Sequence, residues 1–311
     1  MLELLGFGAV AVDDLLYVDE YPAAERKVRV RQRLRQCGGL TGTALVAAAR
    51  LGAKCAYVGL LGYDELSRIV AENLQREGIE VSHAVRRPGA RPAHSTIIVG
   101  EKDHTRTIFA SLDGAIGPHA LAPDAELIRA TKAILIDHHG LEGTLRAARI
   151  ARQAGVGVVA DFERNPGPPF EEILAMVDHL VLSQRFAGEL TAQSDPGRAA
   201  EKLWHADRQA VVVTCGPAGC WCVSHATGGR ARHFSAFAVE VVDTTGCGDV
   251  FHGAYAAALV EGRDLPSRIA WASAAAALKA TRRGGQAGIP SREAVEAFLA
   301  LTPPMSYAEG L

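Results

Sequence analysis

Short, continuously apolar runs that alternate with alanine-rich stretches constrain this chain more than any other feature. Ala56-Tyr57-Val58-Gly59-Leu60 follows the helical stretch Thr43–Leu51. Ala133-Ile134-Leu135-Ile136-Asp137 precedes the helical stretch Leu141–Ala154, and Val156-Gly157-Val158-Val159-Ala160-Asp161 follows it. His179–Leu182 and Ala210–Thr214 complete the series. Strands that are apolar at every position are buried on both faces, which is the condition of a parallel sheet with helices on either side. The order strand, helix, strand therefore predicts an α/β fold with a doubly wound, mainly parallel sheet. Ligands of such sheets sit at the carboxyl ends of the strands, so Asp137 and Asp161 are expected to point toward the site.

Four segments break the pattern. Val10–Tyr17, Lys27–Gln36, Ser95–Val99 and Arg106–Ala110 read as half-exposed strands with no helices between them. They are expected to pair antiparallel in a small second sheet over the ends of the main strands. No linker or internal repeat divides the chain. The expectation is one domain over residues 1–311, with lid strands inserted at about 10–36 and 94–111.

Charge and composition exclude several classes. Lys and Arg number 33 against 35 Asp and Glu, a formal net charge of −2. That balance argues against nucleic acid as a partner, which calls for a basic excess. No apolar run reaches the roughly 18 residues of a membrane span, so no membrane partner is expected. The start, Met1-Leu2-Glu3-Leu4-Leu5-Gly6, lacks the basic region of a secretory signal. The six cysteines, at 37, 55, 215, 220, 222 and 247, contain no Cys-x-x-Cys pair. They read as reduced thiols of a cytoplasmic protein.

Two glycine motifs carry opposite weight. Gly6-Phe7-Gly8-Ala9-Val10-Ala11 fits a dinucleotide fingerprint, but a helix should follow and Val12–Val18 is β-rich. It reads as glycines in a strand and turn. In Asp243-Thr244-Thr245-Gly246-Cys247-Gly248-Asp249, a β run (Phe237–Val242) enters and a small-residue helix (Val250–Val260) leaves. Glycines there let backbone N–H groups converge, and the helix adds its positive end, which makes an anion hole suited to a phosphoryl group. Asp249 on the first turn is either a helix cap or a base that accepts a proton from an attacking hydroxyl.

The segment Asp243–Asp249 resembles the D-T-T-G-A-G-D signature of the PfkB, or ribokinase-like, family of carbohydrate kinases. Four further stretches resemble that family in its order. They are Gly8 to Asp13, Cys37-Gly38-Gly39 through Arg50-Leu51-Gly52, Val213-Thr214-Cys215-Gly216-Pro217-Ala218-Gly219, and Leu278 through Pro290. The resemblance covers almost the whole chain. It implies a sheet with a β lid and ATP-dependent phosphorylation of a primary hydroxyl of a sugar, with Mg²⁺ as cofactor. Asp249 would be the base, and Gly246, Cys247 and Gly248 would hold the γ-phosphate by their N–H groups. ATP would lie near Thr214, Gly216 and Gly219. Asp13, Gly38, Gly39, Thr43 and His138 would meet the sugar. K⁺ would be held by Asp243 and Thr245 with carbonyls near Arg283, Gly285 and Gly288, and activity is expected to rise with it. The lid would pair two subunits into a homodimer. A nucleoside kinase of the same fold, with Leu16, Tyr17 and Phe109 around a base, and a non-catalytic sugar-binding relative are the competing readings.

Departures from the family pattern matter. Its Mg²⁺-ordering N-x-x-E is replaced by Ser183-Gln184-Arg185-Phe186, which leaves Mg²⁺ mainly to the phosphates. Leu40 and Thr43 replace the Lys and Asn of the ribokinase version, weakening ribose recognition. Gly248–Ala254 and Gly284–Pro290 look closer to the bacterial branch acting on fructose-like and sulfonated sugars. His138 and His139 read as substrate contacts or loop histidines, Cys220-Trp221-Cys222 as core, and Arg164 as a phosphate or sugar contact or a surface ion pair. Lys27, Arg29, Arg31, Arg33 and Arg35 recur with period two, so a strand would put all five on one face. Acidic groups of a partner subunit would compensate them, or Lys27 would attract an anionic sugar. A ketose or sugar acid is expected as substrate.

Overall fold

In the main sheet, alternate residues of each strand pack against different helices. The computed structural model describes residues 1–102 and 105–302 and the backbone of Tyr307–Ala308. Residues 103 and 104, inside the second expected lid segment, lie outside the described residues. Leu135, Val159, Val181 and Val212 face one side, in one core with residues of helices Leu40–Arg50, Cys247–Val260 and Leu265–Ala280. Ile134, Ile136, Val158, Leu180, Leu182, Val211 and Val213 face the other, with helices Leu141–Ala154, Phe170–Ala175, Gln184–Thr191 and Pro196–Leu203. Each fully buried Val or Leu contributes about 1.5–3 kcal/mol, so both faces drive assembly.

The sheet has nine strands in the order Tyr307–Ala308, Arg232–Phe234, Cys220–Ser224, Ala210–Thr214, His179–Ser183, Gly157–Phe162, Ala133–Asp137, Leu4–Phe7, Cys55–Tyr57. The last six are parallel, and each of the first three pairs antiparallel with its neighbours at one edge. The chain runs from Leu4–Phe7 to Cys55–Tyr57 on one side, then returns to Ala133–Asp137 on the other. The topological switch point is therefore where Gly8 and Asp137 leave the sheet.

The expected second sheet is present, with four strands in the order Gln32–Gly38, Ala11–Val18, Ala93–Gly100, Thr105–Ser111. Three differences from the sequence reading have physical causes. Ala11–Val18 and Ala93–Gly100 pair in parallel, so the lid is a mixed sheet and not an antiparallel one. The expected strand Lys27–Gln36 begins only at Gln32, opposite Tyr17; Arg31 N–H still donates to the Tyr17 carbonyl at 2.8 Å, and residues 27–30 lie beyond the ladder. Lys27, Arg29 and Arg31 thus fall outside the alternation, and Arg33 and Arg35 keep it. The compensating acids come from the same chain: Arg31 donates twice to Asp19 and Arg35 twice to Asp14, at 2.8–2.9 Å. Finally, Phe237–Val242 is not a strand. Val242 and Asp243 donate to the carbonyl of Ala280 at a helix end, at 2.8 and 3.0 Å, so this apolar segment is tied to a helix and not to the sheet.

Candidate active site

The centre of the site is the start of the Cys247–Val260 helix. Gly246 caps it with φ 76°, a left-handed conformation that favours glycine. The turn closes through Cys247 N–H to the Thr244 carbonyl, 3.2 Å, and Val250 N–H to the Gly246 carbonyl, 2.9 Å. This corrects one expectation: the Cys247 N–H is spent inside the turn. The first-turn N–H groups of Gly248 and Asp249 have no acceptor within the helix, and beside Gly248 the space where a Cβ would stand is open. His252, one turn on, spans from the Gly248 carbonyl (2.8 Å) to the Val181 carbonyl (2.9 Å) and so ties this helix end to the sheet.

Asp249 lies on that first turn, partly buried. Burial, and then the negative charges of Asp161, Glu163, Asp13 and Asp137, push its carboxyl well above the usual range. A carboxylate that binds its proton this readily is suited to receive one from a hydroxyl. Asp161, expected to face the site, is buried within 3.3 Å of the His252 ring, and its Oδ2 has no hydrogen bond. Burial lifts it to about 6.

Asp137, also expected to point toward the site, lies near enough for its charge to act on Asp249. It is wholly buried and accepts from Ala9 N–H (2.6 Å), Thr41 Oγ1 (2.9 Å) and His139 N–H (2.8 Å). Its work is to pin the strand exit at the switch point. His138 is buried beside it, with burial lowering its pKa to about 4, and its Nδ1 accepts from the Glu163 N–H at 3.4 Å. Arg164 is exposed.

The remaining expected sugar residues converge at the root of the lid. A Cβ on Gly38 would stand 2.3 Å from Asp13 Oδ2, so the carboxylate rests where any other side chain would be. Burial raises the Asp13 pKa, and a hydrogen bond from Ser95 opposes this. Gly39 caps the Leu40–Arg50 helix, and Thr43 is buried on its first turn with Cγ2 3.5 Å from the position of a Gly246 Cβ. Asp13, Gly38, Gly39 and Thr43 are thus brought to the anion-binding turn. Lys27 is exposed in the irregular segment before Gln32.

Thr214 ends its strand with Oγ1 donating to the Leu182 carbonyl, 3.3 Å. Gly216 and Gly219 bound a short turn that closes through Cys215 N–H to the Gly219 carbonyl, 2.7 Å. This turn lies where the sheet changes from parallel to antiparallel. Ser183 in turn caps the Gln184–Thr191 helix through Phe186 N–H, so the segment that departs from the family's Mg²⁺ motif has a structural role.

A cleft of about 640 Å³ separates the inner face of the lid (Leu15, Tyr17, Ile97, Val99) from Val241–Thr245 and Arg283. The two sides touch through polar contacts. Arg106 donates to Thr245 Oγ1 at 2.9 Å, Gly285 N–H to Gln36 Oε1 at 3.1 Å, and Arg283 lies 3.6 Å from Glu101 and over the Tyr17 ring. Leu16 and Tyr17 point to opposite faces of their strand, so they cannot flank one base. Arg106, His252 and Lys279 were not singled out from sequence. For Lys279 a signal existed: it is the lone cation in the Ala272–Ala280 stretch of an apolar helix. Arg106 meets Thr245 across 139 residues, which no local pattern shows.

Comparison with known proteins agrees with this geometry. Residues 1–292 match the pfkB family carbohydrate kinase model. The chain is 29% identical over 272 residues to a ribokinase of Haemophilus influenzae, covering 84% of this chain and 87% of that one. It is 26% identical over 309 residues to a fructokinase of Solanum tuberosum, covering 93% and 92%. The crystal structure of a candidate ribokinase of Agrobacterium tumefaciens superposes with a TM-score of 0.86 at 31% identity, covering 96% and 97%. The chain belongs to the pfkB family of carbohydrate kinases. Its sheet, helices and lid are the ribokinase-like fold.

Proposed function

We propose that this kinase transfers the γ-phosphoryl group of ATP to a primary hydroxyl of a ketose or sugar acid, with Asp249 as the base. The observation that carries the reading is the Asp249 carboxyl, raised by burial and neighbouring charge, on the first turn of a glycine-capped helix. The N–H groups of Gly248 and Asp249, with Gly246 shaping the turn, receive the charge that develops on the transferred group. Asp13 accepts hydrogen bonds from sugar hydroxyls, and Gly38 and Gly39 leave room for the ring. Thr43 and His138 line the sugar side. The nucleotide lies along Thr214, Gly216 and Gly219. Mg²⁺, when bound, neutralises phosphate charge; it is held mainly by the phosphates, and Asp161, with a free Oδ2, and Glu163 are the protein carboxylates on this side.

The acceptor is proposed to be anionic, carrying carboxylate, phosphate or sulfonate. Arg106 and Arg283 line the cleft, and Lys27 adds positive charge at the approach. Two subunits pair through the lid, whose edge strand Thr105–Ser111 leaves Ile108 and Phe109 52% and 54% exposed. Among the described residues no helix is long and apolar enough to cross a membrane. Six free cysteines and an ATP donor fit a cytoplasmic setting.

The test is ATP turnover against a panel of neutral ketoses, sugar acids, phosphorylated and sulfonated sugars, ribose and nucleosides. The anionic ketose or sugar acid is expected to give the highest kcat/KM. Lys27→Ala should raise KM for it more than for a neutral sugar, since charge and not chemistry is removed. A neutral ribose or a nucleoside as best substrate, or parallel KM changes, would discard the anionic acceptor.

A further inference from the structure

Of the residues expected to hold a monovalent cation, Asp243 is engaged in another way. Asp243 Oδ1 accepts the Thr245 N–H at 2.8 Å and Oδ2 the Gly284 N–H at 2.8 Å. Behind them stands Lys279, with a side chain fully removed from solvent. Its Nζ donates to the Asp243 carbonyl at 2.7 Å and lies 4.0 Å from Oδ1 of the same residue.

This arrangement places one positive and one negative charge side by side under the anion-binding turn. A free K⁺ on Asp243 would sit against the ammonium in a poorly solvated site, where like charges repel strongly. The donor set therefore does not fit a loosely exchanging cation. The ammonium also reaches what such a cation would organise. Asp243 binds both the Thr245 end of the turn and the Gly284 loop, so fixing its carbonyl and carboxylate fixes the two segments together.

We propose that Lys279 is a built-in cation that positions the anion-binding turn, so that phosphoryl transfer by this chain does not require K⁺. The proposal rests on the kinase reading. Lys279 does not touch substrate; it acts through Asp243 and the turn, as a positioning residue. Removing it should leave sugar binding nearly intact, because Asp13 and Gly38 lie on other elements. It should lower kcat, because the N–H groups would no longer be preorganised around the transferred group.

Four measurements test this. The wild-type rate should change by less than about twofold between K⁺, Na⁺ and tetramethylammonium at equal ionic strength, since preorganisation is already present. Lys279→Met should lose about 30-fold or more in kcat with the sugar KM within about threefold. Calorimetry of the same variant with a non-hydrolysable ATP analogue and with ADP should show the analogue weakened more, a readout that needs no turnover. Lys279→Ala should regain about fivefold or more of its lost rate with methylammonium and not with tetramethylammonium. Asp249→Asn runs in parallel: full turnover there overturns the base assignment, whatever Lys279 does. Activation of the wild type by K⁺ of about fivefold or more, or a folded Lys279→Met within about threefold of wild-type kcat, overturns the proposal. If both Lys279 variants fail to fold, the wild-type cation series decides alone.

Discussion

The main sheet and the lid meet at one site but are stabilised by different means. The sheet is sealed on both faces by two apolar cores. The lid has a cluster of only Leu15, Tyr17 and Ile97, with Leu34 and Val99 half-buried against it. It is fastened to Thr245 by Arg106, and to the loop Arg283–Gly285 by Glu101 and Gln36, contacts near solvent that are each worth little. The comparison teaches a division of labour. The main sheet is held by burial, and the small sheet by polar contacts that open at small cost.

The carboxylates follow burial more than region. Asp249 and Asp161, outside the lid, have raised pKa values from burial. On the lid strand itself burial raises Asp13, while Arg35, and then His94, hold its neighbour Asp14 down at about 2. An acid with a raised folded pKa stabilises the fold below its unfolded value and costs stability as pH rises through the folded value. One with a lowered pKa stabilises above its unfolded value and loses that as pH falls. Above neutral pH the site's carboxylates are therefore a strain carried for function, and in acid the lid is what weakens.

The largest effect should come from Asp249→Asn. Losing a general base costs about 10²–10⁴ in rate, and steady-state kcat with sugar binding measured separately checks it. The same substitution should raise the melting temperature at pH 8, because it removes a carboxyl whose raised pKa costs stability as pH rises. Unchanged turnover or a lower melting temperature would break the contrast between site and lid.

Next in size is the core. Phe170 is fully buried between Phe162 and Phe186, and Phe170→Ala should cost about 3–5 kcal/mol in denaturant unfolding. Leu15→Ala should move that global transition far less while speeding amide exchange in the lid, since the lid can open before the whole unfolds. Equal global losses would mean that the lid and sheet unfold as one unit.

Acid sharpens the comparison further. As pH falls from about 4 through about 2, the Asp14 ion pair is lost, and pepsin should cut first within Ala11–Gly38 or Ala93–Ser111. First cleavage in Ala133–Thr214 would count against it. The smallest effect should be that of Arg106→Ala, which frees one partly exposed contact on Thr245. It should raise substrate KM by about two- to fivefold and leave the melting temperature unchanged.

Much of this was legible in the sequence because it is local. Ala133–Asp137 and Ala210–Thr214 are strands to the residue, since period and apolarity suffice when both faces are covered. That Asp13 and Gly38 share a site came from the family resemblance alone, and the glycine turn announced the helix, which starts at Cys247 and not at Val250. What sequence did not show depends on distant partners. Phe237–Val242 has the composition of a strand, but its backbone bonds go to Ala280. Residues 27–30 alternate like a strand but run past the end of their partner at Tyr17. Asp137, aimed by its strand at the site, is consumed by Ala9 and Thr41, whose approach no pattern near residue 137 foretells. Lys279 and Arg106 act across tens of residues or more, where local periodicity carries no information.

The parallel pairing of Ala11–Val18 with Ala93–Gly100 also sets an order of events during synthesis. All four lid strands exist once Ser111 has been added, before Ala133–Asp137 can flank Leu4–Phe7 on its second side. The turn that the lid clasps is not made until Asp243 and beyond. A ribosome-bound fragment ending near residue 120 would hold its lid strands in hand with nothing to close upon, and its inner apolar face would be bare. Such a face is open to the wrong partners until the rest of the sheet arrives. The small sheet that covers the cleft in the finished chain is, in the growing one, the surface most in need of an escort.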